Sequence, residues 1–197
     1  MAYDIYIFSH QDDEIAILKS IKNTIELKRN ILIYFLTNGD INDNENIDLI
    51  NKRESESKKV LNNLGINSEN ILFIGRNLGT KSYTLINKLN QTYEVLFDKL
   101  NKLKDEITIY THAWEGGNID HDTSFVICLK LFREIPKIKL AYQFPFYNSY
   151  KMPINFFRVF YPISENGAAE KLHLSFNEKI KFIKYLFTYS SQLKIWF

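Results

Sequence analysis

Two short stretches of this 197-residue chain concentrate the side chains able to do chemistry. Residues 9–14, Ser-His-Gln-Asp-Asp-Glu, set His10 ahead of Asp12, Asp13 and Glu14. Residues 111–122 hold His112, Glu115, Asp120, His121 and Asp122 around Gly116 and Gly117. Acids placed directly behind an apolar run are costly to desolvate unless something offsets them. One offset is a helix start, with Asp12 or Asp13 capping the next helix at the positive end of its dipole. The other is a metal ion. His10, Asp13 and His121 would supply two imidazoles and one carboxylate and leave a fourth position for water. That is the donor set of a catalytic zinc site, whereas a structural site is usually closed by four ligands. Zinc makes its bound water acidic near neutral pH, and Asp12, adjacent to a ligand but pointing differently, could take that proton.

The elements that must position these groups alternate. Residues 3–9 read as a strand, and apolar positions recur at near-helical spacing from Asp13 to Lys28. Residues 30–39 form an almost wholly apolar second strand, as expected when both faces are covered. A helix follows over 47–64 and stops at Gly65. Further strands are expected at 71–75, 107–113 and 138–146, and further helices at 81–104 and 121–135. This rhythm predicts an α/β, doubly wound, mostly parallel sheet with helices on both faces, in one domain over 1–197. The last third breaks the pattern, with an edge strand at 156–163 and a helix opened by a Ser175 to Glu178 capping box. In such a sheet ligands gather beyond the carboxyl ends of the strands. Four segments land there, and two of them carry three of the four histidines. That placement argues for the metal reading.

Composition narrows the classes. The net charge of +2 gives no reason to expect nucleic acid or an acidic membrane, and Lys179, Lys181 and Lys184 read as a solvated helix face. Cys128 is the single cysteine, so no intrachain disulfide forms, and its apolar neighbourhood suits packing better than nucleophilic work. Asp4 interrupts what a signal peptide would need, and no apolar run is long enough to span a bilayer. The expectation is a soluble, cytoplasmic protein. The Gly-Arg-Asn-Leu-Gly run at 75–79 lacks the residues of a P-loop, which leaves nucleotide binding a weak reading.

Ser-His-Gln-Asp-Asp-Glu resembles the His-Pro-Asp-Asp-Glu signature of the PIG-L/LmbE-type zinc-dependent N-acetylglucosaminyl deacetylases, which lie on a Rossmann-like sheet. Residues 115–122 resemble their second signature, His-x-Asp-His after a glycine-rich turn. Leu-Thr-Asn-Gly-Asp after the second strand, Arg53 and Glu56 in the 47–64 helix, and Ser-Ser-Gln at 190–192 extend the resemblance over residues 5–192. It implies His10, Asp13 and His121 as zinc ligands, although a His/Asp set also accepts another divalent ion such as Fe2+. It implies Asp12 as general base, Glu14 as a hydrogen-bonding support and Asp120 as the orienter of an imidazole. Arg53 corresponds to an arginine that meets sugar hydroxyls, or is simply an exposed helix residue. The implied reaction removes acetate from an acetamido sugar, the partner being a small N-acetylated sugar or glycoconjugate. A homo-oligomer stays open.

Two positions depart from the family pattern. Gln11 replaces a proline, which costs turn rigidity but no chemistry. Asn118 stands where the second signature opens with the histidine that serves as oxyanion donor. Losing such a donor costs about 10²–10³ in rate, and an amide, still able to donate, should cost less. His112 could reach in as a substitute, or be a strand-end histidine bonded to backbone. His173 reads as structural, and Trp114, Tyr142, Tyr147 and Tyr150 as a sugar-stacking surface or as core. Alternative functions follow: a weakened relative that keeps zinc and sugar binding, or a hydrolase of another amide.

Overall fold

The computed structural model describes residues 2–42, 45–153 and 156–193. Five parallel strands form one sheet: β1 (Tyr3–Phe8), β2 (Asn30–Phe35), β3 (Ile71–Phe73), β4 (Ile107–His112) and β5 (Ile138–Phe144). Their spatial order is β3-β2-β1-β4-β5. The chain thus winds outward from β1 on one side, then returns to build the other, and the order reverses between β1 and β4. Loops leaving those two strands diverge and open a crevice at their carboxyl ends.

Both faces of the sheet are covered, which explains the unbroken apolar runs. Alternate β1 residues point to opposite sides. Ile5 and Ile7 pack with Leu96 and Leu100 of α4 (Leu89–Asn101) and Ile127 and Leu131 of α5 (Ile119–Glu134). Tyr6 and Phe8 pack with Ile21 of α1 (Leu18–Glu26) and Leu61 of α2 (Ile47–Leu64). Helix α2 keeps its expected bounds because both ends carry local signals. Asn46 Oδ1 accepts from Leu49 N at 3.0 Å, and Gly65 adopts φ 109° at the other end.

Elsewhere tertiary contacts move the boundaries. The third strand ends at Phe73, and residues 74–77 form the short helix α3 (Ile74–Asn77). Gly75 there lies so close to β2 that a Cβ would sit 2.3 Å from the Thr37 backbone. The glycine serves packing, and the phosphate-cradle reading loses its basis. The helix expected over 81–104 begins late, with a 3₁₀ turn at Leu85–Lys88 before α4, because Tyr83 N and Leu85 N donate to Asp120. Similarly, a 3₁₀ turn at Asp13–Ile17 precedes α1.

Among the described residues, the chain after β5 adds no edge strand to the main sheet. After Pro145 the Glu115 carboxylate accepts from Phe146 N (2.8 Å) and Tyr147 N (3.0 Å), drawing the chain out of the sheet. A separate antiparallel hairpin results, β6 (Tyr147–Asn148) with β7 (Arg158–Val159). The last helix, α6 (Phe176–Leu186), opens with the expected capping box between Ser175 and Glu178. Among the described residues no helix is long and apolar enough to cross a membrane.

Candidate metal centre

The crevice between β1 and β4 holds three histidines around one carboxylate. Asp13 Oδ2 accepts from His10 N at 2.6 Å and lies 2.9 Å from His112 Nε2 and 3.6 Å from His10 Nδ1. Its other oxygen lies 3.3 Å from His121 Nε2. Donor atoms of His10, Asp13 and His121 all fall within 4.8 Å of one another. His10 comes from the loop after β1 and His121 from the first turn of α5, so the fold's switch point brings them together.

Their protonation tendencies reflect this crowding. Burial works against ionised Asp13, yet His112, His121 and His10 together hold its carboxyl well below the ordinary range. Burial and the neighbouring His112 push His121 down to about 4, which keeps its imidazole neutral and its lone pair available. His10 goes the other way: burial lowers it, but Asp13 and Asp120 outweigh that and raise it to about 10. His121 Nε2 is buried and, despite lying 3.3 Å from Asp13 Oδ1, makes no hydrogen bond among the described residues, a costly state unless a Lewis acid occupies the space it faces. That orphaned atom and the N, O, N donor set fit a divalent metal ion.

Asp12 does not cap a helix. Its side chain makes no capping bond, and its backbone sits at φ 140°, a left-handed conformation costing about 1–3 kcal/mol for a non-glycine residue. Glu14 Oε2 holds this turn by accepting from Asp12 N at 3.0 Å, and Glu14 Oε1 accepts from the Tyr189 hydroxyl at 2.7 Å. Burial and then the charge of Asp13 raise the Asp12 carboxyl well above its usual range, a tendency suited to a proton acceptor. Gln11 is fully buried and donates to Thr37 O at 2.9 Å, so it ties the turn to the β2 loop in the proline's stead.

The remaining expected site residues are placed as follows. Asp120 Oδ2 lies 2.9 Å from His10 Nε2, which leaves the other ring nitrogen, Nδ1, facing Asp13. Arg53 donates to Gly39 O and meets Gln192 at 3.4 Å; burial lowers its guanidinium, and the Asp12 carboxylate is the charge that most offsets this. His112 is fully buried and stacks flat on His121, with centroids 3.9 Å apart and planes at 5°. Its Nε2 also accepts from Ser9 N at 3.3 Å, the backbone contact expected of a strand-end histidine. Asn118 is the N-cap of α5: its Oδ1 accepts from Asp120 N at 2.8 Å, and its Nδ2 donates to the Tyr147 hydroxyl at 3.0 Å.

Of the four aromatic residues considered for sugar stacking, Tyr147 approaches the centre, its ring 5.6 Å from that of His121. Burial raises its phenol to about 12, so it remains a donor. Tyr142 instead stacks on Tyr110, and Trp114 packs against Phe125. His173 is exposed ahead of α6. Tyr83 was invisible to sequence reading; its ring lies 6.5 Å from His10 and its backbone is held by Asp120. No local pattern marks it.

The family model described as GlcNAc-PI de-N-acetylase matches residues 5–132, a span that includes both site segments. The chain belongs to the PIG-L family. No curated protein matches this PIG-L chain. Among solved structures, the zinc-inhibited form of teicoplanin deacetylase Orf2 is similar at 12% identity and TM-score 0.72, over 98% of this chain and 85% of that one. The N,N'-diacetylchitobiose deacetylase from Pyrococcus horikoshii is similar at 16% identity and TM-score 0.56 over 68% of this chain. The PIG-L chain here spans about half of that protein, 51%. The 4-carboxy-2-hydroxymuconate hydratase from Pseudomonas putida KT2440 shares the fold at 12% identity and TM-score 0.50, over 75% of this chain and 65% of that one.

Proposed function

We propose that this protein is a metal-dependent N-deacetylase that hydrolyses the acetamido group of an N-acetylglucosamine-type sugar or glycoconjugate. The observation that carries this reading is the convergence of His10, Asp13 and His121 within 4.8 Å, beside the strained Asp12. The family description and the chitobiose deacetylase share an N-acetylated glucosamine unit, which supports the substrate class. A divalent ion, zinc in this reading, would be held by those three side chains; when bound, it polarises the acetyl carbonyl and acidifies water.

The chain's own residues do the rest. Asp12 takes the proton of the attacking water and later delivers one to the leaving amine, so the products are acetate and a free amino sugar. Asp120, 2.9 Å from His10 Nε2, orients the ring so that Nδ1 faces the centre, where a bound ion would take the place of its proton. Buried His112 orients Asp13 through its 2.9 Å contact. Arg53 offers a guanidinium edge to sugar hydroxyls and moderates the charge of Asp12. Acetate release from a panel of N-acetylglucosamine conjugates tests the reading. It should require added zinc and be lost in Asp12→Asn. Equal release by wild type and Asp12→Asn, or none on the whole panel, contradicts it.

One observation favours a second reading. Asn118 spends its amide on the helix cap and on Tyr147, so no histidine is available at that position. A protein that binds metal and sugar with little turnover would show sugar affinity without acetate release.

A further inference from the structure

Three of the four consecutive residues 115–118 are committed to placing one side chain. Glu115 Oε2 accepts from Tyr147 N at 3.0 Å. Gly117 makes room: a Cβ there would sit 2.6 Å from Tyr147 O and 3.1–3.2 Å from its ring. Asn118 Nδ2 donates to the Tyr147 hydroxyl at 3.0 Å. That last bond has a direction. Because the amide nitrogen gives a hydrogen to the phenol oxygen, the phenol's own O–H is turned elsewhere, and among the described residues no protein acceptor bonds to it. The ring meanwhile stands 5.6 Å from His121, and Asp13 and Asp12 both act on the phenol electrostatically. The hydroxyl, bonded to the N-cap of α5, therefore lies at the start of that helix, where the dipole also favours negative charge.

We infer that the Tyr147 hydroxyl, aimed by Asn118, is the hydrogen-bond donor to the oxygen that becomes negative as the acetamide is hydrolysed. The inference rests on the deacetylase reading above. In that reaction water oxygen bonds to the acetyl carbon and the carbonyl π pair moves onto its oxygen. Tyr147 donates a hydrogen bond to that oxygen and keeps its proton. The carbonyl re-forms as the C–N bond breaks, and the amine receives its proton from Asp12. Tyr147 is thus the catalytic donor and Asn118 its positioning residue, which would account for an asparagine at 118 where the family signature has histidine.

Two variants separate this from a purely structural tyrosine. Tyr147→Phe keeps the ring and deletes the hydroxyl. Asn118→Asp keeps a good helix cap but accepts the phenolic proton, turning the donor away. The probe is acetate, whose carboxylate oxygen stands where the charged oxygen forms, titrated calorimetrically into zinc-loaded protein. Each variant should bind zinc at wild-type stoichiometry yet bind acetate about tenfold more weakly. Where wild type releases acetate from a sugar, kcat should fall about 10²-fold with KM little changed. The double variant should be no worse than the worse single, since both act through one bond. Unchanged acetate affinity in folded, zinc-loaded Tyr147→Phe overturns the inference even if wild type is a working deacetylase. So does a wild type that holds zinc but no acetate. A wild type that hydrolyses nothing on the panel, while Tyr147→Phe still loses acetate affinity, removes the sugar-deacetylase reading and leaves the donor in place.

Discussion

At the scale of single residues, Asp12 carries a stored cost. Its left-handed backbone and its proximity to the Asp13 carboxylate both oppose folding, and neither is relieved by a helix cap. Asp12→Gly should therefore raise folding stability by about 1 kcal/mol in chemical denaturation while abolishing acetate release. Asp12→Asn should keep zinc and lower kcat by about 10²–10⁴, the range for a lost general base. Cys128 is the contrasting residue: burial pushes its thiol up to about 12, so a thiol reagent should modify it only after denaturation. Prompt labelling of the native protein would contradict that placement. The His10, Asp13 and His121 cluster was legible in the sequence because His10 and Asp13 follow the apolar run of β1 directly and His121 opens a helix just beyond a second strand. Tyr147 was legible only as one aromatic among several. Its partners lie 29 to 32 positions earlier, and nothing local in Tyr-Asn announces Glu115, Gly117 or Asn118.

At the scale of elements, ends were readable where the sequence carried its own cap. Helix α2 kept its bounds through Asn46 and Gly65, and α6 opens at its capping box. Boundaries moved where a distant carboxylate claimed backbone donors, as Asp120 does at 83–85 and Glu115 does at 146–147. Glu178 shows the same long reach. Besides closing its capping box it accepts from Lys19 (2.7 Å) and Lys22 (2.5 Å), pinning α6 to α1. Those lysines hold its carboxyl below the ordinary 4.5. A carboxyl lowered in the folded state adds stability above the unfolded value and loses it as pH falls toward the folded one. Thermal midpoints should thus decline below about pH 4.5 more steeply in wild type than in Glu178→Gln, with the difference shrinking in high salt. Parallel curves would show that the pair contributes nothing.

At the scale of the whole molecule, the alternation of strand and helix foretold the parallel doubly wound sheet, since each βαβ passage leaves both periodicities in the sequence. Strand order was not written there. It emerges only when the chain, after building outward to β3, crosses back to lay β4 parallel on the other side of β1, and that reversal of strand order sets the two signature loops side by side. The hairpin of β6 and β7 escaped because two-residue strands are too short to show alternation. An ion bound only by the folded crevice also couples the site to global stability. Free zinc at about 100 times its dissociation constant should stabilise the native state by about 2.7 kcal/mol and raise its thermal midpoint, an effect absent in His121→Ala.

The most direct test is zinc stoichiometry, measured by elemental analysis after dialysis on wild type and on His10→Ala, Asp13→Ala and His121→Ala. The shared centre predicts about one zinc per chain in wild type and a large loss in each folded variant. Retention of wild-type zinc by all three variants, or no zinc in wild type, would contradict the site on which the proposed chemistry stands.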